Sequence, residues 1–492
     1  MIPSFLTHRH QNLPSSTRIL YYKTTLSRTA NSSRQKDAMM NTDLCSRIIL
    51  PYCPSYESAR QIFNRSIQKC PSSIIYCRND DDAAQAVCYG ARQKQEIRVR
   101  SGGHNYEGYC IGNGKMTVDT SPLKGIQLDS TGTLKIGCGV SNRELYHFLK
   151  QYGYPFPSGT CPTVNAVGLT QGGGWGHSSR MYGLACDSLV EAKLIDSSGR
   201  LITASEASHP DLFWALRGGG GGNFGVVTSL SYRLTPVVSH VTYVDIEYSR
   251  IDDLTALRFF QTWQAWTTGG EIRFTPNSRI FNSARDGMGI FLRGFFYGTP
   301  DEAEAAVQPF LDIQGAQVSF RYVTFWEATE IDASIYPASE TFRFAGRFAY
   351  ADFSDSQIIS LLSLIKTRAR GASYASVALY AMGGKVRAVN PCETAFYYRN
   401  SDFIIGIETV WEDCFFEAEN QAWMAARFPY LRSLTTGSYI NFPYLCTDHY
   451  MDAYYGENKE RLIEIKKRYD PCNLFRFPQS IRADHPPGRL PE

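Results

Sequence analysis

Ile97-Arg98-Val99-Arg100-Ser101-Gly102-Gly103-His104-Asn105-Tyr106-Glu107-Gly108 begins as a strand and ends as a turn. Ile97 and Val99 alternate with Arg98 and Arg100, the period-2 pattern of a short strand, and the strand runs straight into two glycines and an imidazole. Glycines at such a junction let backbone N–H groups approach a phosphate or a flat ring with no Cβ in between. An imidazole placed next is presented to whatever those groups hold. Taken alone, His104 is an ordinary loop histidine, one of nine in the chain.

The surrounding pattern is α+β. Upstream, Ser58 to Cys70 is predicted as helix, Ser73 to Tyr76 as strand, and Asp80 to Gln95 as an amphipathic helix with acidic first-turn residues. Downstream, strands are predicted at Met116 to Asp119, Gly125 to Leu128 and Thr133 to Cys138, then a helix from Asn142 to Tyr152 with Ser141 as N-cap. A glycine-rich stretch, Pro157 to Gly176, separates these from strands at Leu189 to Ile195, Leu201 to Ala204 and Gly225 to Leu234, with a helix at Asp211 to Leu216. Leu234-Thr235-Pro236 marks a boundary. Beyond it, alternating strands such as Thr242 to Tyr248, Gly289 to Tyr297 and Phe403 to Trp411 mix with helices at Leu254 to Trp266 and Pro300 to Phe310, as in an antiparallel sheet backed by helices. The predicted division is an extension (1–49), a first domain (50–235), a second domain (236–449), a returning segment (450–481) with a helix at Asn458 to Arg468, and a tail (482–492).

Forty glycines are clustered rather than scattered: Gly102-Gly103, Gly172 to Gly174, and Gly218 to Gly222 with Gly225. One cluster would be a tight turn; three within one domain point to a large phosphate-bearing ligand. Gly220, Gly222 and Gly225 also spell G-x-G-x-x-G, but a helix precedes them and the β-rich Val226 to Tyr232 follows, the reverse of a Rossmann context. No Walker loop and no metalloprotease motif is present, and no metal site is predicted.

With 50 Lys+Arg against 47 Asp+Glu the charge of +3 is too weak and dispersed to mark a nucleic-acid binder. No apolar run approaches the about 20 residues that cross a bilayer. Neither nucleic acid nor membrane is expected as a partner. Thirteen Cys run from Cys45 to Cys472 without a C-x-x-C pair, which favours free thiols in a reducing, cytoplasmic compartment over a disulfide framework; if one Cys is consumed by a cofactor the other twelve could pair, as in a secreted or organellar protein. Residues 1 to 36 carry Arg9, Arg18, Lys23, Arg28, Arg34 and Lys36 with no acidic residue, a transit-peptide-like composition without the apolar core of a secretory signal. A disordered extension, or a start upstream of Met39 or Met40, accounts for it equally well.

Ordered motifs resemble the berberine bridge enzyme-like flavoproteins, which have the vanillyl-alcohol oxidase (PCMH) type of FAD-binding fold. They are Arg98 to Gly108, Cys161-Pro162-Thr163-Val164, Gly172 to Gly174, Arg217 to Val227, Tyr454 to Leu462, and Tyr469 to Phe475, together spanning about residues 50 to 481. The resemblance implies a two-lobed FAD-binding domain plus a substrate domain with an antiparallel sheet. It implies FAD attached twice, through His104 to the flavin 8α-methyl and through Cys161 to ring carbon C6. Two links raise the flavin potential and prevent cofactor loss from an open site. The cofactor residues it implies are Arg100, Ser101, Gly102, Gly103 and Asn105 beside His104; Val164 and Gly168 beside Cys161; Gly172, Gly173 and Gly174; Gly222, Asn223, Gly225 and Val227; and Tyr455, Asn473 and Phe475 near the end.

Family members oxidise a small-molecule donor by hydride transfer to flavin N5, and a side chain accepts the hydroxyl proton. On the strand Phe403 to Trp411, alternation puts Glu408 on one face with Gly406 and Ile404, where apolar neighbours could raise its pKa. An exposed strand carboxylate is the equal alternative. Tyr439-Ile440-Asn441-Phe442 resembles a Tyr-x-Asn-Tyr segment of the family, with Phe442 in place of the tyrosine that is catalytic in several members. That departure weakens a tyrosine-base mechanism and leaves Glu408 as candidate base and Tyr439 as orienter; Tyr106 and Tyr444 are further phenols, better explained by packing. The residue three after the attachment cysteine resembles an oxygen gate, and Val164, being small, implies that O2 accepts the electrons and yields H2O2. A same-fold dehydrogenase with another acceptor, or a flavin-binding protein without turnover, remains the alternative. A monomer or small homo-oligomer is expected.

Overall fold

The computed structural model of the chain describes residues 40, 42–350 and 352–483. Most of the predicted extension and the end of the tail, residues 1–39 and 484–492, lie outside the described residues. Three sheets carry the rest. The first places Ile48–Ile49, Ser73–Tyr76, Met116–Asp119 and Ile97–Arg100 in that order, the last three parallel and the first antiparallel. The second is antiparallel throughout, in the order Ile126–Leu128, Thr133–Gly137, Val226–Arg233, Leu189–Ile195, Leu201–Ala204. These two sheets are the two lobes.

The third sheet has eight antiparallel strands: Gln317–Val323, Val241–Ser249, Gly287–Phe296, Asn277–Ser283, Ala372–Ala381, Phe403–Trp411, Phe342–Ala349 and Thr436–Ser438. Side-chain alternation divides its faces. Phe403, Ile405 and Ile407 bury against the helices Asp253–Gly269, Pro300–Leu311, Asp355–Lys366 and Glu417–Ser433. Ile404, Gly406 and Glu408 take the opposite face, as the alternation predicted; Ile404 packs there with Trp175, Phe342, Phe344 and Tyr380. The architecture is α+β, a two-lobed domain facing a helix-backed antiparallel sheet.

Local chemistry explains most element ends. Asn79 caps the helix Asp80–Arg92 by accepting from Asp82 N–H, and Ser141 and Glu144 form a reciprocal capping box on Asn142–Leu149. Three sequence expectations are corrected. The helix there is Tyr56–Ala59, which overlaps the predicted Ser58 to Cys70 only at Ser58 and Ala59. The rest is irregular, with turns and a single bridge at Asn64, because long-range partners claim its backbone: Phe63 N–H donates to Gly103 O (3.1 Å) and Arg65 N–H to Glu340 O (2.8 Å), while Asn64 Nδ2 donates to Tyr106 O and Phe342 O. The first lobe also begins earlier than residue 50, since Thr42–Ser46 is helical and Ile48–Ile49 pairs with Ser73–Tyr76. The helix predicted to reach Tyr152 ends at Leu149 and tightens into a 3-10 turn.

The C-terminal segment packs on the first lobe. Its helix Lys459–Tyr469 presents Lys466, whose fully buried ammonium donates to Asp470 Oδ2 (2.7 Å), Asn223 O (2.5 Å) and Phe475 O (2.7 Å). Ile97 N–H donates to Leu474 O at 3.0 Å, so the chain end lies alongside the start of the strand that leads into His104.

Candidate active site

A cavity of about 320 Å³ lies between the lobed domain and the free face of the eight-stranded sheet. Of the residues predicted to serve a cofactor or catalysis, Ser101, Gly102, Gly103, His104, Asn105, Cys161, Val164, Gly168, Gly222, Asn223, Gly225, Val227, Glu408 and Tyr439 all line it. The strand Ile97–Arg100 delivers the first five, and the loop after Gly159 delivers Cys161 and Val164.

Seven predicted residues sit behind the wall instead. Arg100 is ion-paired with Asp119, its partner on the adjacent strand, and donates to Ala59 O (2.7 Å). Gly172, Gly173 and Gly174 make a close turn: a Cβ on Gly172 would meet Asn441 at 2.1 Å and one on Gly173 the Phe396 ring at 2.7 Å. Tyr455 donates to Gly219 O at 3.0 Å and braces the Gly218–Gly222 loop from outside. Phe475 is buried in the first lobe, and Asn473 takes a left-handed turn (φ 49°) beside it. From that segment the cavity receives Tyr454, Phe477 and Gln479. The predicted segment thus reaches the cavity, but through these three residues, because which residues of an irregular turn face inward is set by tertiary contacts.

His104 and Cys161 meet across one hydroxyl. His104 Nε2 lies 2.9 Å from Thr163 Oγ1, and Cys161 Sγ lies 3.6 Å from the same oxygen. Nitrogen and sulfur are therefore no farther apart than the sum of those two legs. The imidazole stacks on Phe63 with centroids 4.3 Å apart. Burial pushes its pKa down to about 4, against the Thr163 hydrogen bond, so it is neutral at physiological pH. Burial raises the Cys161 thiol, opposed by hydrogen bonds from Thr163 and Val164.

The opposite wall is built of side chains. Glu408 Oε2 accepts from Ser376 Oγ at 2.9 Å and faces Arg279 Nε at 3.5 Å. Arg279 donates to Tyr380 OH (2.6 Å) and lies over its ring at 4.8 Å. Burial works to lower the pKa of Arg279, but Tyr380 and Glu408 outweigh it and hold the guanidinium charged. The apolar surroundings expected of Glu408 are thus replaced by a cation and a hydroxyl, carried in by the neighbouring strands Ala372–Ala381 and Asn277–Ser283. Tyr106 is on the wall too, stacked on Phe442 (5.3 Å, 9° between planes). Tyr439 directs its phenol oxygen to the Gly174 and Trp175 N–H groups (3.1 and 3.2 Å) and to Asn441 Nδ2 (3.0 Å), so it fixes the glycine turn. Its pKa is pushed up to about 12 by burial, against those hydrogen bonds.

Arg279 and Glu340, both on the wall, were not singled out from the sequence. Arg279 is one polar residue of an alternating strand, and Glu340 sits in the loop after Tyr336 with no pattern around it. No linear signal distinguishes either from a solvent-facing charge.

The lobed wall fits a flat dinucleotide. It presents backbone rather than bulk, and a Cβ on Gly168 would meet nothing within 4 Å, projecting into space that a ring would fill. Such a wall, at the edge of a two-lobed domain and roofed by a polar sheet face, defines an FAD-dependent oxidoreductase. Known proteins agree. Residues 71–205 match the FAD binding domain family and residues 438–482 the berberine and berberine-like family. The FAD-linked oxidoreductase YgaK of Bacillus subtilis is 34% identical over 451 residues, covering 90% of this chain and 98% of that protein. A carbohydrate oxidase of Microdochium nivale is 27% identical over 477 residues, covering 88% and 92%. The structure of BBE-like 1 from Physcomitrella patens superposes with a TM-score of 0.82 at 26% identity, covering 89% of this chain and 97% of that one. The chain belongs to the berberine bridge enzyme-like FAD-linked oxidoreductases.

Proposed function

We propose that the protein carries FAD covalently through His104 and Cys161 and oxidises a hydroxylated small molecule (an alcohol, carbohydrate lactol or cyclic natural product), passing the electrons to O2 as H2O2. The observation that carries this reading is the Thr163 hydroxyl, which engages His104 Nε2 and Cys161 Sγ together at the cavity wall. A neutral imidazole keeps a lone pair for attachment, and with Nε2 turned to Thr163 the other ring nitrogen, Nδ1, is the one available. Bound FAD supplies the two-electron acceptor and, once reduced, the donor to O2.

The chain's own residues do the rest. Glu408 takes the substrate's hydroxyl proton; Ser376 and Arg279 fix its carboxylate. Tyr439 positions the 172–175 turn through its phenol oxygen. Tyr106, Tyr380 and Phe442 offer aromatic surface against which a sugar or ring can lie. Val164 lines the same cavity, and a side chain of that size supports O2 as the acceptor. The similarity to carbohydrate oxidases supports a sugar among the substrate classes.

Acid denaturation of the purified protein tests the attachment. Yellow colour should stay with the precipitated polypeptide in the wild type and in each of His104→Ala and Cys161→Ala, and leave it only in the double variant. Colour released from the wild type would end the covalent reading. Peroxide formed under air, compared with dye reduced under nitrogen, separates the oxidase from the dehydrogenase.

A further inference from the structure

Two carboxyls line the substrate side of the cavity, and they are held differently. Glu408 is fixed through its side chain, by Ser376 and Arg279. Glu340 is fixed through its backbone: its N–H donates to Phe63 O at 3.1 Å and its carbonyl accepts from Arg65 N–H at 2.8 Å. That strap joins the two domains at the residue whose ring stacks on His104. Among the described residues no hydrogen-bond donor and no ion-pair partner reaches the Glu340 carboxyl; the residue lines the cavity together with Arg279, Glu408, Tyr336 and Tyr380, and its charge is felt at Tyr374.

Charge balance then decides its state. Two carboxylates against one guanidinium leave a negative charge uncompensated in a confined site, and such a charge is costly unless a proton or a cation neutralises it. Arg279 is already committed to Glu408 and Tyr380. Burial and the Glu408 charge raise the Glu340 pKa to about 7, with Arg279 opposing.

We propose that Glu340 is a positioning residue of the oxidation: with Glu408 across Arg279 it forms a carboxyl pair that carries one proton, and loss of that proton sets the pH at which Glu408 becomes free to accept the substrate's. The inference rests on Glu408 as the proton acceptor. The substrate O–H proton moves to Glu408, the electron pair of the C–H bond leaves as hydride to the flavin, and the pair releases its extra proton to solvent. The kinetic limb therefore follows the Glu340 carboxyl, whose pKa is the raised one.

Two readouts on flavin-loaded wild type, Glu340→Gln and Glu340→Asp test it. The first needs no substrate. A carboxyl whose pKa is raised by folding contributes stability that is present below its unfolded value and lost as pH rises through the folded value, here from the ordinary carboxylate range to about 7. The Tm of the wild type should therefore fall by several degrees relative to Glu340→Gln between pH 5 and pH 8, and Glu340→Asp should follow the wild type. A Tm difference independent of pH overturns the proposal. The second readout is the rate of anaerobic flavin bleaching by cellobiose against pH. Its acid limb should lie near 7 in the wild type and move down by about one pH unit or more in Glu340→Gln; superimposable profiles overturn the kinetic role. If the wild type is bleached by neither cellobiose nor any other hydroxylated donor, the oxidase reading fails and the kinetic role with it, and a pH-dependent Tm gap in the same preparation would then show that the one-proton pair itself stands.

Discussion

The lobed wall of the cavity and the sheet that roofs it use different materials for different tasks. On the lobed wall, Gly102, Gly103, Gly168 and Gly220 to Gly222 expose backbone, and Tyr439, Tyr455, Asn223 and Lys466 spend their hydrogen bonds on holding the adjoining backbone (Gly174, Trp175, Gly219 and Asn223) in place. On the roof, Arg279, Glu408, Tyr380 and Tyr106 project from separate elements and meet only in space. A ligand of fixed shape can be cradled by main chain, which a sequence writes as clustered glycine. A ligand read by its functional groups needs converging side chains, and these leave no linear mark. Wall and roof should therefore fail differently when altered.

The largest effect belongs to the roof. Glu408→Gln removes the proton acceptor while keeping the Ser376 contact, and kcat should fall by about 10²- to 10⁴-fold. Flavin content and Tm should hardly change, and single-turnover bleaching measures the loss. A kcat within a few-fold of wild type would mean that the roof is scenery and the proton goes elsewhere. Behind the wall, Lys466→Met strips the cation from buried Asp470 and leaves the Asn223 and Phe475 carbonyls without their donor. Breaking a buried pair from one side costs about 3 kcal/mol or more. The consequence is lower Tm and poorer flavin loading, with kcat per bound flavin preserved; thermal melts alongside flavin absorbance measure both. Smallest is Gly222→Ala. Its φ of 75° lies where a side chain is strained, but the nearest atoms to an added Cβ stand at 3.7 Å, so strain alone counts. That is about 1–2 kcal/mol, visible as a modest fall in Tm.

The same contrast explains how far the chain could be read before it folded. Strand and helix positions followed from periodicity and caps: Phe403–Trp411 appears as predicted, and Ser141 caps its helix with Glu144. The Ser58 to Cys70 segment has the composition of a helix yet is irregular beyond Ala59, because Phe63, Asn64 and Arg65 find partners in Gly103, Tyr106, Glu340 and Phe342. Those contacts outweigh a propensity worth tenths of a kcal/mol per residue. Glu408 was assigned the correct face of its strand, but its neighbours were not foreseeable, since Ser376 and Arg279 come from strands one and two places away in the sheet.

By itself the sequence determined the α+β architecture and the clustered glycines, because periodicity and backbone freedom are local properties; His104 and Cys161 are singled out only through the family resemblance. Only the tertiary structure decided that one threonine hydroxyl spans those two groups, that Tyr455, Asn473 and Phe475 brace the site from behind, and that Glu340 and Arg279 stand beside Glu408. The reason is that these are properties of the spaces between elements, fixed by sheet order and by a loop pinned between domains, which no span of adjacent residues encodes.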